Sequence, residues 1–402
     1  MRQLVRILLL LFAFAVPWEY SLDLGEPVGN IARVLGLLVL AAAVPAMLLA
    51  GRMRRPGALQ WLVLALFVWF CCSYFWTIEQ AATLARLRGY FQVMMVVWLV
   101  WEFAETVEDL RDLLRAYVAG SWVLAILTVA SLASPEAAGQ IRFMAEGQDP
   151  NDVARFLDLG FPMAALLLDS ESTAIGKLFA FGYLPVGLAG VLLTASRSGF
   201  LAALIALAGC GLLLARSRVR GWLAGAFALP AIAAGFWFLV PRETLERIIT
   251  IPEQLQGGDL NYRLNIWQAG WQAFVRAPLF GCGAGTFVHA ARLAPEDTAH
   301  NTLLSIGVEG GIVAAMLAGA IVAVCVWSLA EVRGPVRMAL AAALLAWLVI
   351  SLVATVEVSR STWLLLALIS IAGRMEAESP GALEHYFPQT IRSAAIEVGE
   401  VA

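Results

Sequence analysis

TLLSIGVEGGIVAAMLAGAIVAVCVWSL, residues 302–329, contains one charged side chain, Glu309, in a run long enough to cross a bilayer as a helix. A hydrocarbon core of about 30 Å needs about 20 apolar residues in helical form, and a helix apolar on every side is a buried or membrane-spanning one. The same reading extends outward from this run. Toward the C-terminus it gives spans at 336–355 and 361–373, and toward the N-terminus at 4–18, 31–50, 58–76, 90–103, 116–133, 153–168, 178–195, 199–215 and 222–240. The expected fold is therefore an all-α polytopic membrane protein with about twelve transmembrane helices. Composition agrees: 61% of the 402 residues are hydrophobic and only 14% charged, where soluble domains carry about 25% charged residues. The mean hydropathy is +0.80.

Charge placement orients the chain. Arg52, Arg54 and Arg55, then Arg216, Arg218 and Arg220, then Arg333 and Arg337 fall in short loops on the same side as the N-terminus. The positive-inside rule makes that side cytoplasmic. The acidic turn of Glu19, Asp23 and Glu26 then lies outside, as does one long segment over 241–301. Arg2 and Arg6 before a short apolar run ending near Ala13-Phe14-Ala15 also fit a cleaved signal segment, which would leave every later span in the same orientation. Residues 1–374 read as one membrane-embedded catalytic domain and 375–402 as a cytoplasmic tail. No internal repeat is visible, and the long loop follows span nine rather than the midpoint, against a transporter built from two six-helix halves.

Several function classes fall away at once. Net charge is −3 and no dense basic block occurs, so nothing suggests a nucleic-acid partner. Four of five cysteines (Cys71, Cys72, Cys210, Cys325) lie in spans and Cys282 stands in the loop, so there is no disulfide framework. No His, Cys and carboxylate cluster has metal-ligand spacing, and Gly-x-Ser-x-Gly is absent.

Outside loops should be poor in arginine, yet several arginines stand there. Arg86 and Arg88 precede span four, Arg142 precedes span six, Arg197 opens span eight and Arg263 lies in the long loop. Nearly all the basic residues are arginine, with Lys177 the one lysine, and a planar guanidinium suits bidentate contact with phosphate or carboxylate. Convergence on an anionic group would explain the exceptions; snorkelling to lipid headgroups is the alternative. Thr194-Ala195-Ser196-Arg197-Ser198-Gly199 joins two spans with almost no loop, so a capping serine and a helix N-terminus stand beside a guanidinium. Arg142 leads into Gly147-Gln148-Asp149-Pro150-Asn151-Asp152, whose turn chemistry accounts for the proline and Asx residues without a ligand.

In the long loop, Arg263, Trp267, Trp271 and Phe274 recur at helical spacing, predicting an amphipathic helix on the membrane surface. Gly281-Cys282-Gly283-Ala284-Gly285 lacks the strand and downstream acid of a dinucleotide site and reads as a close-packed turn. His300-Asn301 stands where the loop re-enters the membrane, placing a base with an ordinary pKa near 6.5 at the water–lipid boundary. Glu309, nine residues on, lies on the opposite side of a regular helix and is expected to bond a neighbouring helix instead.

Many spans, a long late outside loop, a Ser-Arg-x-Gly helix start, an arginine in that loop and His-Asn at the re-entry together make a chain that resembles the O-antigen ligase and O-antigen polymerase superfamily. The resemblance implies a C-type glycosyltransferase-like helical bundle in the bacterial inner membrane. Its donor would be a glycan on undecaprenyl diphosphate at the periplasmic face, and it would use no cofactor and no metal. By position, Ser196-Arg197-Ser198-Gly199 matches the family's Ser-Arg segment, Arg263 its loop arginine and His300-Asn301 its His-Asn motif. Arg142 with Asp149-Pro150-Asn151 looks like its Arg and Pro-Asn turn, although Asp149 stands where a small or amide residue is usual. On this reading His300 is the general base, Arg197 and Arg263 act on the diphosphate, and Arg142, Arg86, Arg88, Asn301, Ser196 and Ser198 help bind substrate. The expected acceptor is lipid A-core, as in a ligase. A polymerase extending a lipid-linked repeat, or a carrier for a lipid-linked sugar, are the alternatives.

Overall fold

The computed structural model describes residues 1–25, 28–135, 139–215, 240–251, 262–295 and 297–387. Fifteen α-helices lie among them: α1 (Arg2–Ala15), α2 (Ile31–Ala50), α3 (Ala58–Cys72), α4 (Gln80–Phe103), α5 (Val107–Ala130), α6 (Pro150–Ser170), α7 (Ala174–Leu193), α8 (Arg197–Ala215), α9 (Arg242–Ile249), α10 (Arg263–Arg276), α11 (Phe287–Ala291), α12 (Thr302–Glu331), α13 (Gly334–Ser351), α14 (Arg360–Glu378) and α15 (Ala382–Tyr386). No strand occurs among the described residues; Asp23 and Asn30 form an isolated bridge. The expected span 222–240 and the cytoplasmic arginines 216, 218 and 220 lie outside the described residues but for Val240.

The chain is an all-α polytopic membrane protein. Eight helical stretches, built on α1, α2, α3, α5, α7, α8, α12 and α13, are long and apolar enough to cross a membrane. Three further helices from the sequence reading, α4, α6 and α14, have the length but carry more charge: Arg86, Arg88 and Glu102 on α4, Asp152, Arg155 and Asp158 on α6, Arg360, Arg374 and Glu376 on α14. On α6 and α14 burial explains how most of it is tolerated, and on α4 Glu102 is buried and Arg86 half-buried while Arg88 is exposed. Helix α14 is buried at nearly every position from Ser361 to Glu376, packed against α4 and α12. Its ends are tied by arginine: Arg360 pairs with Glu19 and bonds Gln92 at 2.7 Å, while Arg374 donates to the Trp101 carbonyl at 2.9 Å and to that of Ala104. Helix α6 is enclosed by α5, α7, α8 and α13.

Local signals start these helices. Asn30, Thr106, Thr173 and Asn301 accept N–H bonds in the first turns of α2, α5, α7 and α12, and Asp149 caps α6 with Pro150 at its first position, each satisfying donors a helix leaves open. The body continues past the expected boundary at 374. Helix α14 runs to Glu378, and α15 seats Leu383 and Phe387 in the core.

Helix α12 is broken at Gly311, whose φ of 68° no L-residue takes readily. The break frees backbone groups, and the glycine-rich loop takes them up: Cys282 N–H donates to Val308 O and Gly283 N–H to Glu309 O, both at 2.9 Å, and Ile312 N–H donates to Pro278 O at 2.8 Å. The Trp69 indole donates to Gly310 O at 2.8 Å. Residues 281–285 thus form the close-packed turn expected. A Cβ at 311 would stand 2.2 Å from Leu279 O, so Gly311→Ala should lower the thermal midpoint in detergent by the equivalent of roughly 1–3 kcal/mol. Gly319→Ala, in the same helix with nothing within 4 Å of its added Cβ, should melt at or above the parent temperature.

Candidate active site

The corner between α7 and α8 is built by its own sequence. Ala195 takes a left-handed φ of 48°, Ser196 Oγ accepts the Gly199 N–H at 3.2 Å to cap α8, and Gly199 lets α8 close on α6, where a Cβ would meet Ala154 Cβ at 2.3 Å. That approach brings Asn151 to the corner. Its Oδ1 accepts from Ser196 Oγ at 2.9 Å and from Arg142 Nη2 at 3.0 Å, while Arg142 Nε donates to Thr194 O at 3.0 Å. Arg142 is therefore fixed by two elements that its neighbours in sequence do not belong to.

Arg197 turns toward α9. Its Nε donates to Arg247 O at 3.1 Å and its Nη2 to Thr250 Oγ1 at 2.7 Å, a cation at a helix C-terminus. Thr244 Oγ1 on the same helix donates to Ile141 O at 2.8 Å. Helix α9 is thus tied to both the Arg142 loop and the Arg197 corner, and presents Arg247, whose Nε is buried without a partner among the described residues.

These pieces close a cavity of about 250 Å³. Arg142, Arg197, Arg247 and Arg263 line it with Asn151, Ser196, Ser198 and Trp267, and apolar residues of α8 and α13 complete the wall; among the described residues none that lines it is acidic. Burial, and after it the charge of Arg247, lowers the Arg142 pKa from its ordinary value, with Arg263 and Arg197 adding to this and Asp149 opposing it. Burial is also the main cause lowering that of Arg263. Four guanidinium groups are held together with little local negative charge, an arrangement that an anion would relieve.

His300 is not among the cavity's lining residues but adjoins it. Its pKa lies below 6.5, first through burial and then through the charge of Arg263, against Asp149 and Asp297, which raise it. The imidazole is therefore neutral at pH 7, as a proton acceptor must be. Its position is set from both sides. The Trp267 indole donates to Ala299 O at 3.1 Å, Asn301 accepts from Leu304 N–H at 2.9 Å and donates to Leu352 O at 3.1 Å, and Thr302 Oγ1 donates to Ala354 O at 2.7 Å. Three of the four described non-glycine residues with positive φ are Ala195, Tyr262 and His300, two directly before a site segment and one the histidine itself, as expected where surrounding structure imposes strain.

The structure brings together Arg142, Arg197, Arg263, Ser196, Ser198, Asn301 and His300, and separates Arg86 and Arg88 from them. Arg86 lies 3.2 Å from Glu357 and 3.6 Å from Glu309, so its charge is matched inside the bundle rather than offered to the cavity. Arg88 lines a different groove, beside Arg33 and Arg360. Glu309 pairs across to α4, away from His300, as the helix geometry predicts. Trp267 is turned inward by its hydrogen bond and α10 packs through Ile266, Gly270 and Ala273, which departs from a simple surface-lying helix. Arg247 was not anticipated. The signal that selects the other outside arginines applies to it equally, but it stands in an Arg-Glu-Thr-Leu-Glu-Arg run whose mixed charges hide it. Among the described residues no group of three His, Cys, Asp or Glu side chains is placed to hold a metal ion.

Residues 183–319 match the family model described as O-antigen ligase. This stretch is similar to the O-antigen ligase and polymerase superfamily. Members are glycosyltransferase-like enzymes, and the matched stretch includes Arg197, Arg247, Arg263 and His300 but not Arg142 or Asn151. No curated protein matches the chain. Asn301→Ala removes a helix cap and the tie to Leu352, and should destabilise the protein by about 1–2 kcal/mol. Asn301→Ser, which keeps the cap, should recover roughly half of the lost thermal midpoint in a detergent melt.

Proposed function

We propose that this protein transfers a glycan from undecaprenyl diphosphate to a sugar hydroxyl of lipid A-core on the periplasmic side of the bacterial inner membrane. The observation that carries this reading is the set of four arginines around one cavity with no acidic residue among its described lining, next to a histidine whose pKa is lowered. The acceptor hydroxyl oxygen attacks the anomeric carbon of the donor, and the bond from that carbon to the diphosphate oxygen breaks with its electron pair. His300 takes the hydroxyl proton. Arg142, Arg197, Arg247 and Arg263 hold the diphosphate and balance the negative charge it gains as it leaves. Direct displacement inverts the anomeric centre. The arginines gather at one end of the bundle, as a reaction on one face requires, whereas a carrier would distribute cationic groups along its path.

Purified protein supplied with an undecaprenyl-diphosphate glycan and lipid A-core, without nucleotide or added divalent metal, should form the glycosylated acceptor. His300→Ala should slow this by about 10²–10⁴-fold, and Arg197→Ala or Arg247→Ala by about 10²–10³-fold. Growth of the donor glycan without transfer to lipid A-core would identify a polymerase; neither product would point to a carrier.

The pH profile offers a separate check. A base must be unprotonated, so activity should rise with pH through the His300 pKa, with a midpoint below 6.5 because that pKa is lowered. Asp297 raises it, so Asp297→Asn should move this acid limb to lower pH. Arg263 lowers it, so Arg263→Gln should move the limb to higher pH in whatever activity remains. Limbs that coincide in all three proteins would exclude His300 as the titrating base.

A further inference from the structure

A second groove, of about 420 Å³, lies between α1, α2, α3 and α4. Helix α2 packs mainly on α1 and only lightly on α4, which leaves a slot open on the lipid side. Its walls are apolar, including Phe12, Leu37, Phe67, Phe91 and Met95. Its cationic residues are Arg33, Arg88 and Arg360; Arg33 and Arg360 stand in the first turns of α2 and α14 and Arg88 in the third turn of α4, all in the half of the bundle where the arginine cavity also opens. Arg360 is matched by Glu19. Arg33 and Arg88 enter no ion pair among the described residues, so among these residues the mouth carries two charges without a matching carboxylate. From Arg88 to Leu99 the groove follows α4 for a rise of roughly 16 Å, about half of a hydrocarbon core of about 30 Å.

A slot that is apolar for about one leaflet below Arg88 and doubly cationic in its outer part has the shape and charge of an acyl lipid bearing phosphate on its headgroup. We infer that it seats the lipid portion of the acceptor, an acylated glycolipid with phosphate on its sugars, with phosphate at Arg33 and Arg88 and an acyl chain between α2 and α4. The inference rests on the transfer reaction proposed above. That reaction needs two lipid-anchored substrates on one face. The donor diphosphate has its own four arginines, and a second anionic lipid needs a second cationic rim. Arg88, an outside arginine that the cavity does not use, acquires a role on this reading, and Arg33 joins it.

The test is binding without turnover. Protein in phosphatidylcholine nanodiscs is titrated with bisphosphorylated lipid A, with its dephosphorylated form and with phosphatidylglycerol, and separately with undecaprenyl diphosphate. Arg33→Ala/Arg88→Ala should weaken lipid A binding about tenfold or more and leave undecaprenyl diphosphate binding unchanged. Arg33→Lys/Arg88→Lys should restore most of the lost affinity, which also shows that the site remains folded. Dephosphorylated lipid A should bind the parent as weakly as lipid A binds the alanine variant. Equal lipid A binding by parent and alanine variant would overturn the inference, as would phosphatidylglycerol competing as effectively as lipid A. If lipid A binds through these arginines but no transfer to lipid A-core occurs, the groove stands and the proposed reaction falls.

Discussion

A backbone N–H or C=O inside a bilayer has no water to bond, so any interruption of a membrane helix must be repaired by another part of the chain. The interruption at Gly311 is repaired by 278–283, and the organisation of that end of the bundle follows from the repair. The same short turn is also tied to the corner between α3 and α4, where Ala284 N–H donates to Ser73 Oγ at 3.1 Å and Thr83 Oγ1 donates to Ala284 O at 2.8 Å. The outside loop is thereby clamped at its middle to two parts of the bundle. Helix α10 on one side of the clamp and His300 on the other are held at fixed positions above α12, although neither lies in a membrane span. A loop outside the spans gains its rigidity from a defect within one.

The arginines divide by what balances them. Arg86, Arg360 and Arg115 meet carboxylates; Arg374 and Arg197 serve helix ends through backbone carbonyls. The cavity arginines have Asp149 as a nearby counter-charge, and it is already engaged in capping α6. Holding like charges together is unfavourable unless the scaffold enforces it, and here it is enforced by the crossed bonds through Asn151, Thr194 and Thr250. Arg197 therefore has two inseparable functions, lining the cavity and anchoring the helix that supplies Arg247.

Much of this organisation is legible in the sequence because membrane physics constrains it tightly. Apolar runs mark the spans, and Arg142, Arg197 and Arg263, which stand out as arginines expected in outside loops, line one cavity. The same signal also selects Arg86 and Arg88, since loop position says nothing about a partner such as Glu357, which is 271 residues away. Arg247 was obscured by neighbouring glutamates that offset its charge in sequence but do not line the cavity. Helix α6 extends beyond the apolar core read for it because its polar first turn is largely covered by protein rather than lipid. Tertiary burial of that kind leaves no local pattern.

Helix α14 is the most enclosed of the long helices and the last of them to be synthesised. Earlier helices must therefore enter the membrane around a centre that has not yet been made. Glu19, Gln92 and the carbonyls of Trp101 and Ala104 wait through most of translation for Arg360 and Arg374. Until those arrive, α1 and α4 expose polar groups that only lipid or insertion machinery can shield. The bundle resembles an arch whose keystone is set last, and its period of greatest vulnerability is the interval before the ribosome reaches residue 378.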